Sequence, residues 1–181
     1  MSPVRDDEWK NRAFEQIARR YADDLYRFAV WLSGDPALAD DLVQETFVRA
    51  WKSIAQLKDV QAAKAWLITI LRREYARTFE RKVPRLVDID QVVVADDQDS
   101  AAPEEQAHRS QVRREMLGLD PMYREPLVLQ SLLGLSIAEI AEVTGLSQTA
   151  VMTRVFRARQ QLSDRLGDRA QDEARSADNE H

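Results

Sequence analysis

Three closely spaced arginines in the C-terminal third of the chain carry its most specific chemistry. Arg154, Arg157 and Arg159 lie in a stretch, 148–159, that contains no aspartate or glutamate. Guanidinium groups bind phosphate, and an arginine can pair bidentately with the O6 and N7 atoms of guanine. If this stretch is a helix, its arginines can bind nucleic acid.

The preceding residues predict two short helices joined by a tight turn. Ser136 and Glu139 have the spacing of a capping box, and Gly145 suits a turn residue with positive φ. Ser147 can cap the second helix, whose apolar stripe begins at Val151. These spacings are typical of a DNA-binding helix-turn-helix. An ordinary αα-hairpin is the alternative.

A second basic segment, 72–85, contains only Glu74 and Glu80 as acids. Tyr75 and Phe79 are interleaved with its arginines, and aromatic rings can stack on unpaired bases while cations hold phosphates. The alternative is that both aromatic residues belong to the core and the arginines form a solvated surface.

Charge is segregated along the chain, so the net charge of −5 conceals the basic segments. The segment after residue 85 is acidic and has no helical periodicity, which predicts a flexible acidic linker at 84–107. Val92, Val93 and Val94 could form a short strand, but one strand has no partner. The polar segment 168–181 is expected to be a disordered tail.

Composition favours an all-α protein. The 181 residues include 5 glycines and 6 prolines, too few for a many-turned β fold, and 44% are hydrophobic. The absence of cysteine excludes disulfides and thiolate metal sites and fits a cytoplasmic location. No apolar run approaches the ~20 residues of a membrane span, and the first residues lack the apolar core of a signal peptide.

Two small helical domains are expected, at 10–83 and 108–167. In the first, apolar residues recur at helical spacing from Phe14 to Phe28 and Ser33-Gly34 ends the helix. Asp35 and Pro36 then start a second helix, and a third begins near Ala62. The residues expected to be buried in these two helices are Leu38 or Ala39, Leu42, Val43, Phe47, Ala50, Trp51, Ile54, Trp66, Leu67, Ile70 and Leu71, with Phe47 at the edge.

Taken together, the segments resemble a known family. DPALADDLVQETFVRAW (35–51) resembles region two of bacterial sigma factors of the extracytoplasmic-function (ECF) group, and AWLITILRREYARTFERK (65–82) resembles the part that melts and reads the −10 promoter element. LDPMYREPLVLQSLLGLSIAEIAEVTGLSQTAVMTRVFRARQQL (119–162) resembles region four of that group. The resemblance covers 14–82 and 111–166, in the family's order.

The resemblance implies that the chain binds core RNA polymerase, through the β′ coiled coil and the β flap, and directs promoter-specific initiation. The helix at 35–54 would dock on the β′ coiled coil, and its matching contact positions are Asp41, Gln44, Glu45 and Phe47. Carboxylates and an amide around a partly exposed aromatic residue suit a basic partner surface.

Contacts to DNA are implied at two places. For the −10 element the matching positions are Ala63, Lys64, Arg72, Arg73 and Arg77. The family commonly has an asparagine at the position of Arg73 and a bulky aromatic residue near Ala63. Because this chain differs at both positions, the resemblance does not determine which −10 sequence it prefers. For the −35 element they are Gln148, Thr149, Met152, Thr153, Arg154, Phe156 and Arg157, and Met152 stands where a cation is more usual.

An anti-sigma factor is a further implied partner, and the acidic linker could mimic RNA or be a spacer. His108 and His181 are expected to be solvated, and no phosphate loop, nucleophile elbow or paired-carboxylate motif is present, so we expect no enzyme activity, cofactor, metal or small-molecule substrate. The alternatives are a dimeric helix-turn-helix regulator that acts without polymerase and a helical adaptor protein.

Overall fold

The computed structural model describes residues 3–57, 59–81 and 103–178. The α-helices in these ranges are α1 (Pro3–Ser33), α2 (Pro36–Ser53), α3 (Ala63–Arg81), α4 (Pro103–Leu117), α5 (Pro121–Ser131), α6 (Ile137–Thr144) and α7 (Gln148–Asp178). Two 3-10 turns, Ile54–Gln56 and Val60–Ala62, connect α2 to α3. These described ranges contain no strand, and the predicted all-α fold with two small domains is confirmed.

The boundary between α1 and α2 forms as its residues predict. Gly34 ends α1 with a φ of 68°. This is the left-handed region, which glycine adopts without a steric penalty. The Asp35 side chain then accepts hydrogen bonds from the amides of Ala37 at 2.9 Å and Leu38 at 3.3 Å. Pro36, whose missing N–H is not needed there, occupies the first turn of α2.

The first domain packs α1, α2 and α3 around one core. Phe28 and Leu25 from α1 are fully buried, and α3 contributes Leu67, Ile68 and Leu71. From α2 the buried residues are Ala39, Leu42, Thr46 and Ala50. The Thr46 hydroxyl donates to the Leu42 carbonyl at 2.7 Å. Because its polar group is hydrogen-bonded, Thr46 is tolerated in this apolar setting.

The second domain packs α4, α5 and α6 around the N-terminal half of α7. Its core includes Leu129 from α5, Ile140 from α6 and Val151 from α7, each fully buried. Because Val151 is part of this core, the opposite side of α7 faces solvent.

The two domains also contact each other, α1 against α5 and α3 against α6. Lys64 Nζ donates to the carbonyl of Leu133 at 2.5 Å and also pairs with Asp24 at 2.7 Å. Residues 82–102, between the domains, lie outside the described part of the chain, and so do Val92, Val93 and Val94.

Helix bounds differ from the predictions at two places. α4 begins at Pro103, so the last residues of the predicted linker at 84–107 are helical; an N-terminal proline followed by Glu104 and Glu105 favours a helix start. The predicted disordered tail at 168–181 is also partly helical, because α7 continues to Asp178. The segment 168–178 contains three alanines and two arginines and no glycine or proline, and the helix propensity of these residues favours the continuation.

Two tryptophans differ from the predicted core. Trp51 is 40% exposed. Trp66 is half-buried, whereas Ile68, which is absent from the predicted core, is buried. Val43 is also only half-buried, whereas half-buried Phe47 agrees with its predicted place at the edge. The short residues Ala39, Thr46 and Ala50 form the centre of the α2 core face, which turns Trp51 toward the edge.

Candidate nucleic-acid interfaces and a partner surface

The turn between α6 and α7 is fixed by paired caps. The Ser136 hydroxyl accepts from the Glu139 amide at 3.2 Å, and the Glu139 carboxylate accepts from the Ser136 amide at 2.8 Å. These two bonds complete the predicted capping box. Gly145 has a φ of 71°, as predicted for the turn. The Ser147 hydroxyl accepts from the Ala150 amide at 3.2 Å at the start of α7.

The Glu139 carboxylate is held in its charged form. Hydrogen bonds from the side chain and backbone of Ser136 lower the pKa of Glu139, and the nearby Lys64 ammonium lowers it further. The capping box therefore stabilises α6 most when Glu139 is ionised.

α7 presents one side to solvent because Val151 and Val155 are buried on the other. Met152 is 51% exposed and Phe156 is 67% exposed. Such exposure is unusual for neighbouring large apolar side chains on a helix. The other residues predicted to contact the −35 element are exposed beside them, except that Arg154 is half-buried; the exposed ones are Gln148, Thr149, Thr153 and Arg157.

Arg159 is tied to its own domain. Its guanidinium donates to Gln130 Oε1 on α5 at 2.8 Å. One of the three closely spaced arginines of α7 therefore also stabilises the packing of α7 on α5.

The residues predicted to contact the −10 element fall into three different environments. Arg73 and Arg77 are exposed on α3, and Arg77 donates to Glu74 at 2.7 Å. Ala63 is fully buried at the start of α3, which is at odds with a direct DNA contact because its methyl group belongs to the core. The third environment is the boundary between the domains, where Lys64 and Arg72 lie.

Arg72 is bound to the second domain by three hydrogen bonds. Its Nε and NH2 groups donate to the two carboxylate oxygens of Glu125 at 2.5 and 3.1 Å, and its NH1 group donates to the Val143 carbonyl at 2.6 Å. Arg72 and Lys64, both predicted to contact the −10 element, thus lie against α5, α6 and the loop between them. An open cleft of about 580 Å³ beside this contact is lined in part by Thr69 and Arg73.

Tyr75 lies at the same boundary instead of on an open stacking surface. It is half-buried and lines a small cavity of about 60 Å³ with Phe28 and Trp31 of α1 and Arg124 of α5. Burial raises the pKa of Tyr75. Burial also lowers the pKa of Arg124, whose guanidinium donates to the Leu117 carbonyl at 2.7 Å. The side chain of Phe79, the other predicted stacking residue, is outside the described part.

A mixed acidic and apolar surface covers the solvent side of α2. Asp41, Gln44 and Glu45 are exposed there, and Val48 and Trp51, 46% and 40% exposed, share that side. We call these five residues the α2 surface.

An aromatic cluster borders the α2 surface. Phe47 packs edge-on against Phe14 with ring centroids 6.0 Å apart, and Trp51 packs on Phe14 at 5.3 Å. The cluster joins α2 to α1 and holds the Trp51 ring at the edge of the core.

Sequence reasoning missed Val48 and Trp51 as candidate site residues. Apolar periodicity alone places Trp51 in the core, and an isolated valine such as Val48 does not indicate a binding site. The spacing of positions 41, 44, 45 and 48 could have identified Val48, because it puts this apolar residue among polar ones on the same side of the helix.

Within the described residues, no cluster of histidine, aspartate and glutamate side chains could hold a metal ion. The helices of that part of the chain are also too short or too polar to cross a bilayer.

Comparison with known proteins assigns both domains. Residues 17–83 match the Sigma-70 region 2 family and residues 109–162 match the Sigma-70 region 4 family. The chain is 31% identical over 152 residues to the ECF RNA polymerase sigma factor SigM of Bacillus subtilis, covering 82% of this chain and 91% of that protein. It is 31% identical over 176 residues to the ECF RNA polymerase sigma factor SigE of Mycolicibacterium smegmatis, covering 91% of this chain but 66% of that protein.

A solved structure has a similar arrangement of helices. The sigma factor RpoE from Bartonella quintana, in a co-crystal with the anti-sigma factor NepR, superposes with a TM-score of 0.69 at 25% identity. The match covers 85% of this chain and 96% of that one.

Proposed function

The chain belongs to the extracytoplasmic-function group of RNA polymerase sigma factors, and on this premise we propose that it binds bacterial core RNA polymerase and directs initiation at promoters with specific −10 and −35 elements. The observation that supports this most directly is that two separate exposed surfaces lie on the two matched domains. One is the α2 surface on the region 2 domain, and the other is the solvent side of α7 on the region 4 domain.

The α2 surface is the proposed site for the polymerase β′ coiled coil. Asp41 and Glu45 offer carboxylates and Gln44 an amide to cations of the partner, while Val48 and Trp51 supply apolar area. Tryptophan is among the residues that most often form a binding hot spot, and the surrounding contacts exclude water from it.

The solvent side of α7 is the proposed −35 reader. A recognition helix places its N-terminal half in the major groove, and the residues there are Thr149, Met152 and Thr153, followed one turn later by Phe156 and Arg157. Met152 and Phe156 suit thymine methyl groups, and Arg157 suits guanine or phosphate. The region 4 domain would also contact the β flap.

The −10 contacts are proposed for Arg73 and Arg77, which are exposed on α3, and for Lys64 and Arg72 once the domains separate. While the two domains are in contact, the donors of Arg72 are bound to Glu125 and Val143. DNA would therefore have to displace these two residues of the second domain from Arg72. Opening of the contact between the domains is therefore part of the proposed initiation pathway.

We also propose control by an anti-sigma factor, as in the RpoE–NepR complex, a cytoplasmic location, and no catalysis by the chain itself. Bond-forming chemistry would belong to the polymerase. The domain bounds 10–83 and 108–167 are proposed as the functional units, joined by the acidic linker.

In vitro transcription tests the proposal. Purified chain is added to bacterial core polymerase with a library of genomic promoter fragments, and 5′ ends of transcripts are mapped. Transcripts that start at fixed positions downstream of shared −10 and −35 sequences are expected, and core polymerase alone is the control. Binding of the chain to DNA as a dimer without any transcript would instead support a free-standing regulator.

A further inference from the structure

Glu74 is a carboxylate buried between α2 and α3. Only 7% of the residue is exposed, although Arg73 and Arg77 on the same helix are exposed. A buried charge is costly unless it is paired and hydrogen-bonded, so the partners of Glu74 define what it does.

Two arginines from different helices converge on the same oxygen of Glu74. Arg49 Nε on α2 forms an ion pair with Glu74 Oε1 at 2.6 Å, and it also lies 3.0 Å from Glu45 Oε1. Arg77 NH1 on α3 donates an aligned hydrogen bond to the same Glu74 oxygen at 2.7 Å. The two arginines compensate the charge of Glu74, and the aligned hydrogen bond fixes the direction of Arg77.

The hydrogen bond leaves most of the Arg77 guanidinium available. The group has five N–H donors in one plane, one of which is used by Glu74, and 44% of the side chain is exposed. A free arginine side chain loses substantial rotamer freedom when it binds a ligand. An arginine already held at its guanidinium loses less, which favours phosphate binding here because Arg49 offsets the charge of the carboxylate that holds Arg77.

We propose that Glu74 is a positioning residue that holds Arg77 in the orientation in which it binds the backbone of the unpaired −10 strand. This inference rests on the proposed function, since it assigns Arg77 to promoter DNA. Arg49 has the separate task of compensating the charge of the buried carboxylate from α2. Glu74 itself does not touch the DNA.

A double-mutant cycle tests the inference in the assembled holoenzyme. Wild type, Glu74→Gln, Arg77→Ala and the double variant are each bound to core polymerase. Their affinity is measured by fluorescence anisotropy for the labelled non-template strand of a promoter found in the transcription experiment. Glu74→Gln is expected to lower the affinity about threefold to tenfold, the scale of ordering one long side chain. In the Arg77→Ala background the same change is expected to have no effect, because Glu74 acts only through Arg77.

Arg49→Met is the matched control, because it removes the other cation from the same carboxylate. It is expected to lower the thermal stability but to leave the strand affinity of the folded holoenzyme unchanged. Equal losses from Glu74→Gln with and without Arg77 would overturn the inference, as would an unchanged or tighter affinity of Glu74→Gln. Failure of the wild-type holoenzyme to bind the strand at all would instead contradict the proposed function.

Discussion

Arg72 of α3 and Glu125 of α5 form a two-pronged ion pair across the boundary between the domains. Arg72 Nε lies 2.5 Å from one Glu125 oxygen and NH2 lies 3.1 Å from the other, and the remaining NH1 group reaches the Val143 carbonyl of α6 at 2.6 Å. Planar, paired geometry of this kind is specific as well as strong. A residue proposed for −10 DNA thus holds the two domains together in the absence of DNA.

Charge reversal of Glu125 should separate the domains. Glu125→Arg places two guanidinium groups against each other, and like charges at this distance repel. Because the chain contains no cysteine, dyes can be placed on Gln16→Cys and Gln160→Cys, and we expect energy transfer between them to fall. Asp164→Arg, an equal charge change at an exposed position on α7, is the control. Unchanged transfer in Glu125→Arg would mean that the ion pair does not hold the domains together.

Arg157 and Arg154 on α7 should differ in how they affect −35 binding. If Arg157 reads a base, Arg157→Ala costs about 1–3 kcal/mol for the preferred −35 duplex and flattens the preference at one position. If Arg154 contacts phosphate, Arg154→Ala weakens binding to all −35 sequences alike. It also lowers the slope of log affinity against log salt concentration by about one. Binding of holoenzyme to a set of single-base −35 variants at several salt concentrations measures both effects. A uniform loss from Arg157→Ala would assign that residue to phosphate.

Trp51 should contribute to polymerase binding although its helical period predicts a core position. Trp51 is 40% exposed, and its helical spacing places it on the same side of α2 as the exposed residues Val48 and Gln44. Truncation of an aromatic anchor costs about 2 kcal/mol, which is roughly thirtyfold in affinity. We expect Trp51→Ala to weaken binding to core polymerase by that order in a titration.

Gln16→Ala on α1 is the exposed control for Trp51→Ala. Since Trp51 also packs on Phe14, melting of each variant must be measured alongside. A loss confined to stability would refute the contact with polymerase.

Two glycines should respond to alanine with opposite signs. Gly145 has a φ of 71°, and no atom lies within 4 Å of an added Cβ. Gly145→Ala therefore costs only the strain of the left-handed conformation, about 1–2 kcal/mol. Gly167 lies inside α7 with equal space around it, so Gly167→Ala gains up to about 1 kcal/mol of helix propensity. Urea unfolding measures the change in the free energy of unfolding for each variant. Changes of the same sign would show that packing, and not backbone conformation, determines the effect.

The stability of α6 should depend on pH through Glu139. Because the folded pKa of Glu139 is lowered, its contribution is complete above the ordinary glutamate value of about 4.3 and is lost as pH falls through the lower folded value. Ser136→Ala removes the largest cause of the shift, so the loss of stability on acidification should shrink in that variant. Ser147→Ala removes a cap without a carboxylate, so its cost should not change with pH. An identical acid response in wild type and Ser136→Ala would exclude this source.

Local signals explain how much of the structure the sequence predicts. The cap at Asp35, the capping box at Ser136 and the turn at Gly145 depend on neighbouring residues, and all three form as expected. Apolar periodicity likewise identifies Val151 as the buried side of α7.

The errors occur where distant residues decide the outcome. Trp51 has the right period for the core, but small residues on α2 leave the space there to α1 and α3, so the ring is displaced to the edge. The pairing of Arg72 with Glu125 joins residues 53 positions apart, and the contact of Lys64 with Leu133 joins residues 69 apart. Helical periodicity in the sequence does not indicate contacts between residues so far apart in the chain. The chain's basic residues therefore predict a nucleic-acid surface but not the domain contact that occupies part of it.

Promoter-specific initiation by the chain is tested most directly by combining it with core RNA polymerase and mapping where transcripts begin, using wild type and an Asp41→Ala/Gln44→Ala variant of the α2 surface. We expect defined start sites with wild type and their loss, at unchanged stability, in the variant. A wild-type chain that binds no core polymerase, or binds it and yields no transcript with a defined start, would contradict the proposed function.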